Sequence, residues 1–182
     1  MSAATPFGTF ALRVTASHVV TYFVAGLAAV FLLDYRGQFL SEALGCYMRP
    51  VDAPIAALGP AFQVVRGLIA AAVLYPFRRV FLEASRGWLL LWALVVGLSV
   101  LSSTGPAPGS VEGFIYTKVP IAQQVRGYFE VLPQTLAFSV LVVAWNRRPS
   151  RAWTVVMVGL TVVVALLSVL GYLAATGRLP TN

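Results

Sequence analysis

Charge, imidazole and sulfur are all scarce in this sequence, and each scarcity closes off a class of function. Of 182 residues only 10% are charged, against about a quarter in a soluble domain. Histidine occurs once, as His18, and cysteine once, as Cys46. A single histidine excludes a bis-histidine haem and leaves no usual zinc ligand set. A single cysteine excludes an intramolecular disulfide and any multi-thiolate centre. Ser102, Ser103 and Ser110 have no histidine near them in sequence, which disfavours a serine-histidine hydrolase. No glycine-rich phosphate loop, EF-hand pattern or zincin motif occurs. No cofactor or metal is expected, and no catalytic residue stands out.

What the sequence has instead is apolar length. Hydrophobic residues make up 59% of the chain and the mean hydropathy is +0.83. Five apolar stretches separated by arginine-bearing breaks run from Val14 to Leu33, Ala57 to Phe77, Trp88 to Ser103, Pro133 to Trp145 and Trp153 to Ala175. About 20 apolar residues cross the roughly 30 Å hydrocarbon layer. In lipid, where every backbone polar group needs an internal partner, helices are the form such segments take. The expected fold is therefore all-α, one polytopic transmembrane domain over residues 1–182 with five spans. The first stretch is longer than a signal-peptide core and lacks a small-residue cleavage site, so it is read as a retained helix. Cys46 follows Ala43-Leu44-Gly45, but the polar stretch Asp34 to Glu42 separates it from the apolar run, which argues against lipidation.

The basic residues are distributed unequally. Arg13, Arg78, Arg79, Arg86, Arg147, Arg148 and Arg151 fall at one set of span ends. Arg36, Arg49, Lys118, Arg126 and Arg178 fall at the other, with Asp34, Glu42, Asp52, Glu112 and Glu130. The richer side is expected to be cytoplasmic, which puts the N-terminus in and the C-terminus out. Trp88, Trp145 and Trp153 adjoin the same basic breaks, as headgroup-level indoles do. The net charge of +7 is thus explained by topology rather than by nucleic acid. A plasma membrane of bacterial type is the expected location, and the outer loops, about 34–56 and 104–132, carry the unusual residues.

Arg66 is the most informative of them. Between it and Arg78 lie the eleven residues Gly67 to Phe77, which place it about 18 Å above the basic side, below the outer interface. An unpaired arginine deep in a span costs about 2.5–3.5 kcal/mol on insertion scales. A partner or a wet cavity is expected unless the side chain snorkels outward to the headgroups. Arg66 is read as a structural ion pair or a site for an anion, lipid headgroup or substrate, with Glu130 favoured as the pairing acid over Glu112 and Asp52. Gln134 falls near the same depth, and Gln63 lies one turn from Arg66 on the same face. Gly59, Gln63, Gly67 and Ala71 recur every four residues, a stripe that lets another helix approach closely. In the second outer loop, Thr104 to Ser110 reads as a stiff turn with Ser110 an N-cap and Glu112 in the first helical turn. After Pro120, the apolar positions Ile121, Val125, Tyr128, Phe129 and Leu132 fall at helical spacing, an amphipathic outer-interface helix or the upper turns of the fourth span.

The candidate binding cluster is Arg66, Gln63, Glu112, Glu130, Gln134 and Arg126. The leading function is a small non-enzymatic membrane component that binds a lipid or a partner protein, or helps assemble a complex. A small oligomeric transporter or channel using Arg66, Gln63, Glu112 and Glu130 is the alternative. A membrane enzyme with an outer-face carboxylate ranks third. The expected partners are the lipid bilayer and a membrane protein or a second copy of the chain, with no nucleic acid.

Overall fold

The computed structural model describes residues 5–46 and 48–179. Position 47 of the first outer loop and the two ends of the expected 1–182 domain lie outside that description. Among the described residues the chain is all helical, with no strand. The long helices are α1 (Phe7–Leu32), α4 (Gly59–Leu74), α9 (Tyr128–Arg147) and α10 (Arg151–Ala175). The short ones are α2 (Tyr35–Phe39), α3 (Glu42–Gly45), α5 (Arg78–Glu83), α7 (Val111–Tyr116) and α8 (Ile121–Arg126). A 3₁₀ turn, Pro54–Leu58, leads into α4, and α6 (Gly87–Val95) continues as a π-helix over Val96–Leu101.

Helix α1 is the hub, packed against α4, α9 and α10. Its lower half is buried almost all round, from Phe10 to Val19. The pairings fix the directions. Gly67 meets Thr15, and Tyr75 of the turn after α4 donates to the Thr5 carbonyl at 3.3 Å, so α4 runs against α1. Arg13 donates to Asn146 Oδ1 at 3.2 Å at one end, and Glu130 reaches Gly26 at the other, so α9 does too. Trp92 donates from its indole to Thr135 Oγ1 at 3.2 Å and to the Leu132 carbonyl at 3.3 Å, docking α6 antiparallel on α9. Ser168 of α10 donates to the Ala57 carbonyl and accepts from the Ala61 amide at 3.2 Å, satisfying a backbone donor that the start of a helix leaves open. Five segments therefore alternate up and down, and the turns α4–α5–α6 and α9–α10 put Arg78, Arg79, Arg86, Arg147, Arg148 and Arg151 at one end.

Among the described residues four helical stretches are long and apolar enough to cross a membrane: Phe7–Leu32, Pro54–Leu74, Ile121–Arg147 and Arg151–Ala175. The third apolar stretch differs from the expectation. Gly87–Leu101 is a shorter apolar helix, about 22 Å even at full α-helical rise. Its upper part winds as a π-helix, with the Ser102 amide bonding Gly97 O at 3.0 Å and Ser99 Oγ bonding back to Val95 O at 2.9 Å.

Two boundaries also move. α1 begins at Phe7 rather than Val14 because Arg13 finds Asn146 within the bundle and need not mark an end. α9 begins at Tyr128 rather than Pro133. Proline removes one backbone donor, the one that would meet the Phe129 carbonyl, and Pro133 lies inside α9 all the same; below it Thr135 Oγ1 bonds the Val131 and Leu132 carbonyls at 2.7 and 3.1 Å. The segment expected as an outer-interface helix or as the upper turns of the fourth span is thereby divided, its second part being the upper turns of α9. Ile121–Arg126 forms α8, Gly127 keeps helical backbone at φ −60° and ψ −25°, and the remainder belongs to α9.

The second outer loop folds as expected around Ser110, whose Oγ accepts from the Gly113 amide at 2.9 Å. Gly105 and Gly109 hold φ of +97° and +88°, values open to glycine and strained for other residues. Gln124 ties the loop together. Its buried amide accepts from Gly109 N–H at 3.0 Å and donates to the carbonyls of Val119 at 2.8 Å and Gly113 at 3.3 Å.

Candidate functional site

The α1–α4 interface is built from the four-residue stripe. Gln63, Gly67 and Ala71 are buried on α4, followed by Leu74. Without a Cβ at position 67 the two backbones close in, since an added Cβ would lie 2.8 Å from Thr15 Cα. One turn above that contact, His18 Nε2 meets Gln63 Oε1 at 3.0 Å, and Gln63 Nε2 donates to the Gly59 carbonyl at 3.1 Å. Because the amide nitrogen is committed to Gly59, Oε1 is the acceptor and the imidazole proton sits on Nε2. The His18 ring also packs edge-on against Phe138 of α9, with centroids 5.8 Å apart. The lone histidine thus joins three helices.

Against this junction lies a cavity of about 380 Å³. α4 contributes Arg66, Ile69, Ala70, Val73 and Leu74. The upper part of α6 and its π-turn contribute Leu94, Val95, Leu98, Ser99 and Val100. α9 contributes Val131, Gln134, Thr135 and Phe138, and α1 contributes His18. Helix α4 packs chiefly on α1, and α6 chiefly on α9. Ile69, Val73, Leu94 and Leu98 on their facing sides are exposed, so the cavity opens sideways between them. Its lower end is wholly apolar. Its polar groups are Arg66, His18, Thr135, Gln134 and Ser99, set in the middle and upper part.

The expected candidates are distributed as follows. Arg66 and Gln134 line the cavity, and Gln63 stands behind it holding His18. Glu130 lies one turn above Gln134 and next to Val131, half-buried, with its carboxylate 4.0 Å from where a Cβ on Gly26 would stand. Glu112 and Arg126 are exposed on α7 and α8 and line none of this cavity.

The expected Arg66–Glu130 ion pair is absent. Among the described residues the ion pair within 4.0 Å is Arg36–Asp52, exposed in the first loop. The reason is axial separation. Gly67 lies against Thr15 and Glu130 against Gly26, so Arg66 and Glu130 stand about ten residues of α1 apart, about 15 Å at helical rise. Arg66, itself exposed, has no hydrogen-bond or ion-pair partner among the described residues.

His18, Thr135 and Ser99 were not among the expected site residues. His18 is 45 positions from Gln63, and no local pattern announces that pairing. Among the described residues no group of three or more His, Cys, Asp or Glu side chains comes together to hold a metal ion. No family model, curated protein or solved structure matches this chain.

Proposed function

We propose that this chain is a non-enzymatic component of the plasma membrane, with five spanning segments, that takes a phospholipid sideways from the bilayer into the cavity between α4 and α6. The arginine-rich end faces the cytoplasm, following the bias of basic residues, which puts the N-terminus in and the C-terminus out. The observation that carries the reading is Arg66, unpartnered among the described residues, on the wall of an apolar cavity that opens to the side. A guanidinium held within a span calls for an anion or for water, and a phosphate accepts its parallel N–H groups in bidentate fashion.

The short α6 supports access from the outer leaflet. At about 22 Å it falls short of the roughly 30 Å hydrocarbon thickness, so the bundle is notched above Leu101. A headgroup can sink into that notch. Below it, Ile69, Val73, Leu74 and Leu94 offer an apolar wall for an acyl chain.

Native mass spectrometry after mild detergent extraction tests the reading. The wild-type chain is expected to retain one phospholipid, and Arg66→Gln to lower that retention about tenfold or more, the equivalent of one charge-assisted hydrogen bond. Water-soluble glycerophosphoethanolamine at equal concentration is expected not to displace the lipid. A wild type that carries no phospholipid, or an Arg66→Gln variant that carries as much, refutes it.

A further inference from the structure

We infer that the lipid is an aminophospholipid of the phosphatidylethanolamine class, its phosphate on Arg66 and Gln134 and its ammonium on Glu130. The inference rests on the lipid-binding reading above and names its headgroup. Glu130 stands just above the cavity lining rather than in it, at the level where the outer end of a headgroup would lie. It is one turn above Gln134, about 6 Å along α9, and adjacent to Val131 at the upper end of the cavity. It is half-buried and has no cation within 4.0 Å among the described residues. Its carboxylate faces Gly26, whose missing side chain leaves room beside it.

The axial order matches the ligand. Arg66 and Glu130 stand about 15 Å apart along α1, Arg66 lower and Glu130 higher, with Gln134 between. The long arginine side chain extends towards the N-terminal end of α4, which is upward, and so shortens an interval whose upper end is already the level of the Glu130 carboxylate against Gly26. A phosphate joined to an ammonium through two carbons is the group we place in what remains. An outer-leaflet phospholipid enters in that order, chains down, phosphate next, amine uppermost.

Charge selects the class. One guanidinium and one carboxylate suit a zwitterion, whereas a purely anionic headgroup would set its charge against Glu130. A primary ammonium donates hydrogen bonds to a carboxylate, and a quaternary one cannot. Sites built around such bonds discriminate strongly against analogues that lack them.

Native mass spectrometry of the purified full chain in an equimolar mixture of phosphatidylethanolamine, phosphatidylcholine and phosphatidylglycerol tests this. The expected wild-type result is phosphatidylethanolamine bound at least tenfold over each of the others, with affinity falling through the N-methyl and N,N-dimethyl derivatives. Glu130→Gln is expected to erase the preference over phosphatidylcholine while one phospholipid remains bound; Arg66→Gln lowers retention of every class about tenfold or more. The methylation series needs no variant, so it decides even if Glu130→Gln fails to fold. Bound phospholipid with no headgroup preference, or a preference for phosphatidylglycerol, overturns the zwitterion assignment and leaves lipid binding standing. No bound phospholipid of any class overturns both.

Discussion

Replacing Gly67 by alanine should loosen the junction on which the cavity wall depends. The added Cβ would lie 2.8 Å from Thr15 Cα, 3.1 Å from its Cγ2 and 3.2 Å from its Cβ. The nearest of these is backbone, which cannot swing aside, so α1 and α4 must separate. Forcing extra volume into a closed interface costs about 1–3 kcal/mol. The same separation stretches the His18–Gln63 bond of 3.0 Å, one turn away on the same interface. An interhelical hydrogen bond in a bilayer contributes about 0.6–2 kcal/mol. The glycine-to-alanine change itself favours a helix by up to about 1 kcal/mol, which offsets part of the loss. A net loss of about 1–3 kcal/mol follows from these magnitudes, measured by unfolding in mixed detergent micelles. Gly159→Ala is the matched control. It lies in α10 with nothing within 4 Å of the added carbon, so it should leave stability unchanged or slightly raised. Equal stability of the two variants would refute the close-approach argument.

Two further outcomes follow from side chains that hold backbone. Arg147 bonds the carbonyls of Leu82 at 2.8 Å and Phe81 at 3.3 Å, and also that of Ala84, so it caps the C-terminal end of α5; Arg147→Gln should cost about 1.5–3 kcal/mol, the range for hydrogen bonds to a charged group, and make the turn at Ala84-Ser85-Arg86 the first site of limited proteolysis. Gln124→Ala strands the Gly109 amide and the Val119 carbonyl at a buried position, at about 1–3 kcal/mol for each group left unsatisfied, and should raise hydrogen exchange across residues 105–119 while leaving α10 as protected as before.

The stripe on α4 was legible because small residues at four-residue spacing have one structural consequence in a helix: they let another backbone approach. Ser110 was legible for a similar reason, since a serine after a proline-glycine turn and before apolar residues has a local job as a cap. What was illegible was set by distance in sequence. Trp88 to Ser103 is as apolar as any other stretch, and nothing in its composition announces that Ser99 and the Gly97 carbonyl shift the winding to a π-helix. Pro133 reads as a helix start, yet it lies inside α9, which continues upward to Tyr128. Depth was the main casualty. Counting residues from the arginine-rich breaks placed Arg66 and Glu130 within side-chain reach, but α4 and α9 enter the bundle at different heights on α1, and the interval widens to about 15 Å.

That interval bears on why two charges persist in an apolar bundle without meeting. A buried ion pair gains little over apolar residues of the same size, because desolvation offsets most of the attraction. Two separated charges do worse, each carrying its own insertion cost. Position 134, on the cavity wall with Arg66 and one turn below Glu130, would bring a carboxylate nearer to the guanidinium, and the chain places an amide there instead. Gln134 can donate to a phosphate where a glutamate would compete with it for the guanidinium. The arrangement is costly for an empty bundle and would be favourable for one that binds the proposed lipid, since a headgroup carrying both signs would neutralise both residues in a single binding event.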